Sequence, residues 1–309
     1  MGTNETWAVI INLKSGKKNF RRQMLYLFHQ LNKAQIAYEH QFTDFAGHAV
    51  LIARKFARKG FRNFMVVGGD GTVSEVINGI FSSGADTSNV QLALIPRGTG
   101  NDWARFWGLG RDYIHSVAIF IQQKKQLIDI GTIQYRLEDE NYTHYFINSV
   151  GFGLDAAVVK ITHRLKRYLG SHSFMYFIAL LTAVFQFKSF RFHMKTKEKE
   201  IQDLLFTMNI ANGCYSGGGM KQNPDALPYD GIFHAMLVRK PSYRDILTAL
   251  PLLFNGRIQH HPALENLVTE ELELNYHNGG YFEADGIIVN CDPPLTVAVQ
   301  KNALYMIIP

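Results

Sequence analysis

The segment NFMVVGGDGTVSEVINGIF, residues 63–81, holds the side chains best placed to do chemistry. A β-rich run ends in Gly68, Gly69, Asp70, Gly71 and Thr72, and helical periodicity follows at once. The glycines let the backbone turn tightly and approach a ligand with no Cβ in the way. Thr72 and Glu75 have the spacing of a capping box, which predicts Thr72 as N-cap of a helix over 73–81. The free N–H groups and positive dipole end of such a helix suit a phosphate. A carboxylate beside bound phosphate is unfavourable, so Asp70 would contact magnesium or take a proton from an attacking hydroxyl. Asp-Gly is equally a common turn pair, and local chemistry favours neither reading. The loop is not a Walker A sequence and not a Rossmann G-x-G-x-x-G. A second glycine loop, PRGTGND, residues 96–102, follows the next apolar run. Ligands of open α/β sheets sit at the carboxyl ends of strands, so the two loops are expected to converge.

The elements that must hold these loops alternate over the first 130 residues. Strand patterns cover 7–12, 36–42, 64–67 and 91–95, and helical periods cover 19–32, 48–59 and 73–81. This rhythm predicts an α/β domain with a parallel sheet over 1–129. Beyond it strand patterns dominate, at 127–137, 145–150, 189–195, 204–211, 231–238, 267–277, 281–289, 295–299 and 304–308. Helices are expected at 155–169, 174–187 and 242–254. This half, 130–309, reads as a mainly antiparallel β-sandwich domain, with about 300–309 packing back on the first. The charge-rich KTKEKE, 195–200, is expected to connect a hairpin.

Composition narrows the classes. The 309 residues are 47% hydrophobic and 19% charged, which is a globular balance. The formal charge of +6 suits nucleotides or anionic surfaces without selecting one. Two cysteines, Cys214 and Cys291, exclude a disulfide framework, and their spacing suggests no zinc site. The longest apolar run, 174–187, is shorter than the roughly 20 residues that span a bilayer, so a buried helix is favoured. A cytoplasmic protein with peripheral membrane contact is expected, with no nucleic-acid partner. A homodimer is compatible with it.

Five motifs in order resemble the diacylglycerol kinase catalytic-domain family, which includes bacterial lipid kinases and sphingosine kinases. They are NLKSG (12–16), TDFAGHA (43–49), GGDGT (68–72), GTGND (98–102) and GGGMKQNPDALPYDGIF (217–233). GGDGT alone is shared with NAD kinases, and the resemblance implies an NAD-kinase-like parallel sheet. It also implies an ATP-dependent kinase acting on a lipid hydroxyl, with Asn12, Ser15, Gly16, Thr43, Gly68, Gly69, Asp70, Gly71, Thr72 and Thr99 around the nucleotide. Lys14, Lys17 and Lys18 could reach its phosphates, or belong to a solvated loop. Asp230, with the carbonyls of Leu227 and Ile232, would hold a structural Mg2+, although Asp230-Gly231 is also a turn pair.

One position departs from the family. The family's D-G-E becomes Asp285-Gly286-Ile287, and isoleucine cannot take the substrate's proton. Asp285 and Asp70 are then the catalytic candidates. Glu283, two residues before Asp285, would share its face on a strand, although a solvated strand residue is the slightly favoured reading. Two rivals remain: a catalytically weak or inactive nucleotide- or lipid-binding homologue, and a soluble NAD-kinase-type enzyme. The lipid would come from a membrane surface, which the basic and apolar stretch 163–187 could touch. The pair His260–His261 is read as a loop.

Overall fold

A computed structural model describes residues 5–16, 19–110, 112–169, 174–276 and 280–309. The chain forms two compact units, Met1–Asp129 with Lys301–Pro309, and Ile130–Gln300.

The first unit alternates strand and helix: β1 (Trp7–Asn12), α1 (Phe20–Lys33), β2 (Tyr38–Thr43), α2 (His48–Arg58), β3 (Asn63–Gly68), α3 (Asp70–Phe81) and β4 (Gln91–Pro96). Two helices that the sequence pattern did not reveal follow, α4 (Asp102–Phe106) and α5 (Tyr113–Gln122). Strands run in the order β2-β1-β3-β4, all parallel. β1 and β3 are near-continuous apolar runs because helices cover both faces of such a sheet. One face packs Val9, Ile11, Met65 and Val67 against Leu27 and Leu31 of α1 and Val117 and Phe120 of α5. The register aligns Asn12 with Thr43 and Gly68 with Pro96, so both glycine loops leave the same carboxyl edge of the sheet.

β5 (Lys125–Leu137) leads into the second unit. There follow β6 (Glu140–Phe146), β7 (Ser149–Gly153), α6 (Leu154–Leu169), α7 (Phe174–Gln186), β8 (Phe190–Lys195), β9 (Glu200–Leu205), β10 (Thr207–Ala211), β11 (Phe233–Val238) and α8 (Tyr243–Asn255). The chain ends with β12 (Leu264–Thr269), β13 (Glu271–Tyr276), β14 (Tyr281–Ala284), β15 (Ile287–Asn290) and β16 (Asp292–Ile307), whose last residues lie parallel to β4 in the first unit. One antiparallel sheet has the order β12-β11-β10-β7-β14-β15. A second set runs β16-β13-β8-β9, with β5 and β6 beside β16. Phe152, Phe233 and Phe282 from the first sheet and Phe146, Met194, Leu272, Leu274 and Val297 from the second share one buried core. The fold is therefore a parallel α/β sheet followed by an antiparallel β-sandwich. KTKEKE does connect the β8–β9 hairpin.

Element boundaries differ from the sequence reading where a single residue breaks a run. The stretch 204–211 divides at Phe206, and 267–277 divides at Glu270. The stretch 281–289 is a hairpin, because Asp285 and Gly286 both take positive φ. The stretches 295–299 and 304–308 form one long strand.

Candidate functional site

In the first unit the glycine loops meet backbone to backbone. A Cβ on Gly69 would stand 2.7 Å from Gly98 Cα, and one on Gly98 would stand 2.6 Å from Gly69 Cα. Only glycine permits that approach. The Arg97 N–H donates to the Gly68 carbonyl at 2.7 Å and fixes the crossing. Asp70 ties the loops together a second time, its Oδ1 accepting from the Trp103 N–H at 3.1 Å at the start of α4. Burial raises the Asp70 pKa, against the N–H groups of Trp103 and Asp102, which lower it.

The helix begins earlier than expected. Gly69 is the N-cap of α3 and Asp70 its first residue, where a carboxylate suits the positive dipole end. Thr72 is not the cap: its N–H donates to the Gly69 carbonyl at 2.9 Å, and its Oγ1 accepts from Asn12 Nδ2 at 3.0 Å. Glu75 does not close a capping box either. Its two oxygens accept from the Gly47 and Ala49 N–H groups, at 2.9 and 3.1 Å, and so hold the start of α2. The Gly71 N–H therefore marks the open end of α3, and a Cβ there would meet nothing within 4 Å.

The other sequence candidates fall around this point. Asn12 and Thr43 end neighbouring strands. Ser15 and Gly16 lie in the loop after β1, and Thr99 is exposed on the second glycine loop. Lys17 and Lys18 lie outside the described residues. Arg97 was not among the candidates. It is buried, donates from Nε to the Ser15 carbonyl at 3.1 Å, and lies 5.1 Å from the centre of the Phe20 ring. Burial lowers its pKa, and it places a guanidinium between the first and last of these loops. Its position next to the glycines of PRGTG was the available signal.

In the second unit, Asp285 has a different place from the one its motif suggested. Its carboxylate accepts three backbone N–H groups, from Ile147 and Asn148 at 2.9 Å and from Ser149 at 3.1 Å. It thereby fixes the turn into β7. Glu283 is not a solvated strand residue but only 5% exposed, and it is not paired with Asp285 across a shared strand face, since β14 ends at Ala284. Its neighbour is Asp155, 7% exposed, in the first turn of α6. A Cβ on Gly151 would lie 2.5 Å from Asp155 Oδ2 and 2.8 Å from Glu283 Oε1, so that glycine makes room for both carboxylates.

Asp155 anchors a buried polar chain that the sequence reading missed. Its Oδ2 accepts from Asn209 Nδ2 at 2.7 Å, and its Oδ1 from Gln222 Nε2 at 3.2 Å. The Asn223 amide donates to Asn209 Oδ1 at 2.8 Å, and Ser216 Oγ to Gln222 Oε1 at 2.5 Å. Asp155 and Gln222 also line a cavity enclosing about 670 Å³ of unfilled space, part of it open to solvent. Most of the remaining wall is apolar, including Leu180 and Val184 of α7, Phe206, and Leu253 of α8, with Thr207, Asp245 and His261 as further polar members. The buried side of α7 thus faces a cavity. His261 is no plain loop residue: it lines the same cavity and pairs its Nε2 with Thr248 Oγ1 at 2.8 Å.

Asp230 is exposed after a loop, with Oδ1 accepting from the Ile232 N–H at 3.2 Å and Oδ2 3.8 Å from His234 Nε2. Leu227 is exposed nearby in sequence. Among the described residues no group of three acidic, histidine or cysteine side chains is placed to hold a metal. The donors fit a cation held by one carboxylate, carbonyls and water, as magnesium often is. No helix among the described residues is long and apolar enough to cross a membrane.

Residues 6–133 match the model of the diacylglycerol kinase catalytic domain, and residues 148–308 match the YegS C-terminal NAD kinase beta sandwich-like domain. The chain belongs to the diacylglycerol kinase catalytic-domain family. YtlR of Bacillus subtilis is 26% identical over 298 residues, covering 93% of this chain and 94% of that one. A diacylglycerol kinase of Staphylococcus saprophyticus is 27% identical, over 90% of this chain and 87% of its own. A crystal structure of a Bacillus anthracis diacylglycerol kinase superposes with a TM-score of 0.73 at 18% identity, covering 99% of this chain and 97% of that one. Yeast NADH kinase shares the fold more distantly, with a TM-score of 0.54 at 9% identity, over 99% of this chain and 84% of that one.

Proposed function

We propose that the protein transfers the γ-phosphoryl group of ATP to the hydroxyl of a diacylglycerol-like lipid. The observation that carries the lipid reading is the apolar cavity with a carboxylate and an amide, Asp155 and Gln222, on its wall. Such a lining takes a hydrocarbon chain and presents hydrogen-bond partners to a single polar group. A water-soluble dinucleotide acceptor would need polar walls, and these are mostly apolar. On the nucleotide side, the Gly71 amide, the α3 dipole and the Arg97 guanidinium supply positive character for phosphates. Asn12, Ser15, Gly16, Thr43, Gly68, Gly69 and Thr99 would shape the pocket around the nucleotide. Catalysis of this kind is mostly positioning and charge neutralisation.

Magnesium would neutralise the ATP phosphates, and Asp230 with the carbonyls of Leu227 and Ile232 would hold a structural ion. Asp70 would position the second glycine loop through Trp103, in addition to any contact with the metal. Asp285 would position β7. The lipid would be drawn from a membrane surface in peripheral contact with a cytoplasmic protein.

The test is incubation with radiolabelled ATP, magnesium, a panel of lipids in mixed micelles, and NAD. Label is expected in a lipid, and an Asp70→Ala variant should lose it. Label only in NAD, or none above the variant, refutes the proposal.

A further inference from the structure

The sequence pointed to the stretch 163–187 for membrane contact, and the structure turns α7 inward. Among its described residues α7 keeps its apolar side chains buried or half-buried, and Leu180 and Val184 line the cavity. An exposed apolar stripe lies instead on α8. Leu247 is 62% exposed and Phe254 56%, and Pro251 between them is exposed as well. These three stand at i, i+4 and i+7, so they share one face of the helix. Arg244, also exposed, extends that face by one turn, and the stripe from Arg244 to Phe254 is about 15 Å long. Single exposed leucines are ordinary on a protein surface. Apolar residues aligned along one helix face are the pattern by which a helix lies on an apolar phase.

The same helix is apolar on its other side. Ile246, Ala249, Leu250 and Leu253 all stand on the cavity wall. A helix apolar on two sides is at home only where both sides meet apolar surroundings. Its placement is fixed at three points. Ser242 and Asp245 close a capping box at its start, Thr248 Oγ1 pairs with His261 Nε2 at 2.8 Å, and the Lys221 N–H donates to the Leu253 carbonyl at 2.7 Å.

We propose that the Leu247–Pro251–Phe254 stripe docks the protein on an anionic lipid bilayer, with α8 lying between the bilayer and the cavity. The inference rests on the lipid-kinase reading above, which gives the cavity its acyl chain. Charge selects the occupant. Of the two charged residues of α8, Arg244 lies on the stripe. Asp245 lines the cavity, and its carboxylate accepts from the Ser242 N–H at 2.8 Å and hydroxyl at 2.7 Å. Arg257, exposed, follows the Gly256 C-cap. Cations therefore flank the stripe at both ends and no acid lies on it. That pattern attracts anionic headgroups while the apolar side chains enter the acyl boundary. A second copy packed on the same stripe would set cation against cation at both ends.

Flotation of the full chain with vesicles tests docking without reference to activity. The wild type should float with vesicles of equal phosphatidylglycerol and phosphatidylcholine. Leu247→Ser combined with Phe254→Ser should bind them at least about tenfold more weakly. Circular dichroism and urea unfolding should stay as in the wild type, because both side chains are exposed. Arg244→Gln and Arg257→Gln should each weaken binding to these vesicles by about fivefold and leave binding to pure phosphatidylcholine unchanged. Leu25→Ser is the control, since Leu25 of α1 is 63% exposed in the first unit and should change nothing. A wild type that binds neither vesicle overturns the proposal. So does a double variant that floats like the wild type, or a Leu25→Ser variant that loses as much. If the double variant breaks a dimer and floats unchanged, the stripe is a self-association surface and the proposal falls.

Label transfer separates docking from the kinase reading. On vesicle-borne diacylglycerol at limiting concentration the double variant should lose at least about tenfold in rate. On dihexanoylglycerol dissolved as monomers it should match the wild type. Equal loss on both lipids overturns the proposal. A wild type that floats by the stripe and labels no lipid keeps the docking surface and refutes the kinase reading.

Discussion

Gly71→Ala separates the needs of the fold from those of the ligand. The substitution adds one methyl group at the second residue of α3. In the free protein that methyl meets nothing within 4 Å, and the backbone φ is an ordinary one. Replacing a helical glycine restricts the unfolded chain, so stability should rise by about 0.4–1 kcal/mol. A phosphate oxygen accepting the Gly71 N–H would lie about 2.9 Å from that nitrogen. The methyl would intrude there, since carbon contacts need about 3.5–4.0 Å. ATP affinity should fall at least about tenfold, or about 1.4 kcal/mol. Gly69→Ala should behave in the opposite way. Its Cβ would lie 2.7 Å from Gly98 Cα. The crossing loops would have to separate by about 1 Å, which costs about 1–3 kcal/mol of stability. Urea unfolding measures stability and calorimetric titration measures ATP binding. A Gly71→Ala variant that binds ATP as the wild type does would refute a phosphate at the α3 N-terminus. A Gly69→Ala variant of unchanged stability would refute the close crossing.

Three further outcomes are expected. Ile287→Glu restores the carboxylate that the family carries at this position and should raise the lipid-kinase rate by about tenfold or more; no gain would show that another carboxylate already takes the proton. Glu75→Ala should cost about 1–3 kcal/mol in chemical unfolding, because two N–H groups at the start of α2 lose their acceptor. His144 has its pKa lowered by burial from 6.5 to about 4, so between these values the unfolded chain binds a proton that the folded chain does not. Stability should therefore fall as pH drops from 6.5 to 4, by up to about 3 kcal/mol, and His144→Gln should flatten that slope.

The loops around Gly69 and Gly98 have the close backbone crossing and the helix start that suit a nucleotide's phosphates. On the acceptor side Ile287 stands where the family carries a glutamate, and the buried carboxylates Asp155 and Glu283 lie in the same unit.

The sequence by itself determined the class of the fold and the two glycine loops. Strand–helix alternation is a local pattern, and GGDGT acts through the backbone of consecutive residues, so both are written in short stretches of chain. The start of α3 was misread because its partners are distant. Asn12, 60 positions away, occupies the Thr72 hydroxyl, and Gly47 and Ala49, 28 and 26 positions away, occupy Glu75. Glu283 looked solvent-facing because period-two alternation tells which residues share a face of a strand and not what covers that face. Only the tertiary structure set α6 against β7, β10 and β14 and brought Asn209 and Gln222, 54 and 67 positions away, to the carboxylate of Asp155. The environment that sets a carboxylate's charge comes from elements far apart in the chain, and no spacing along the sequence records it.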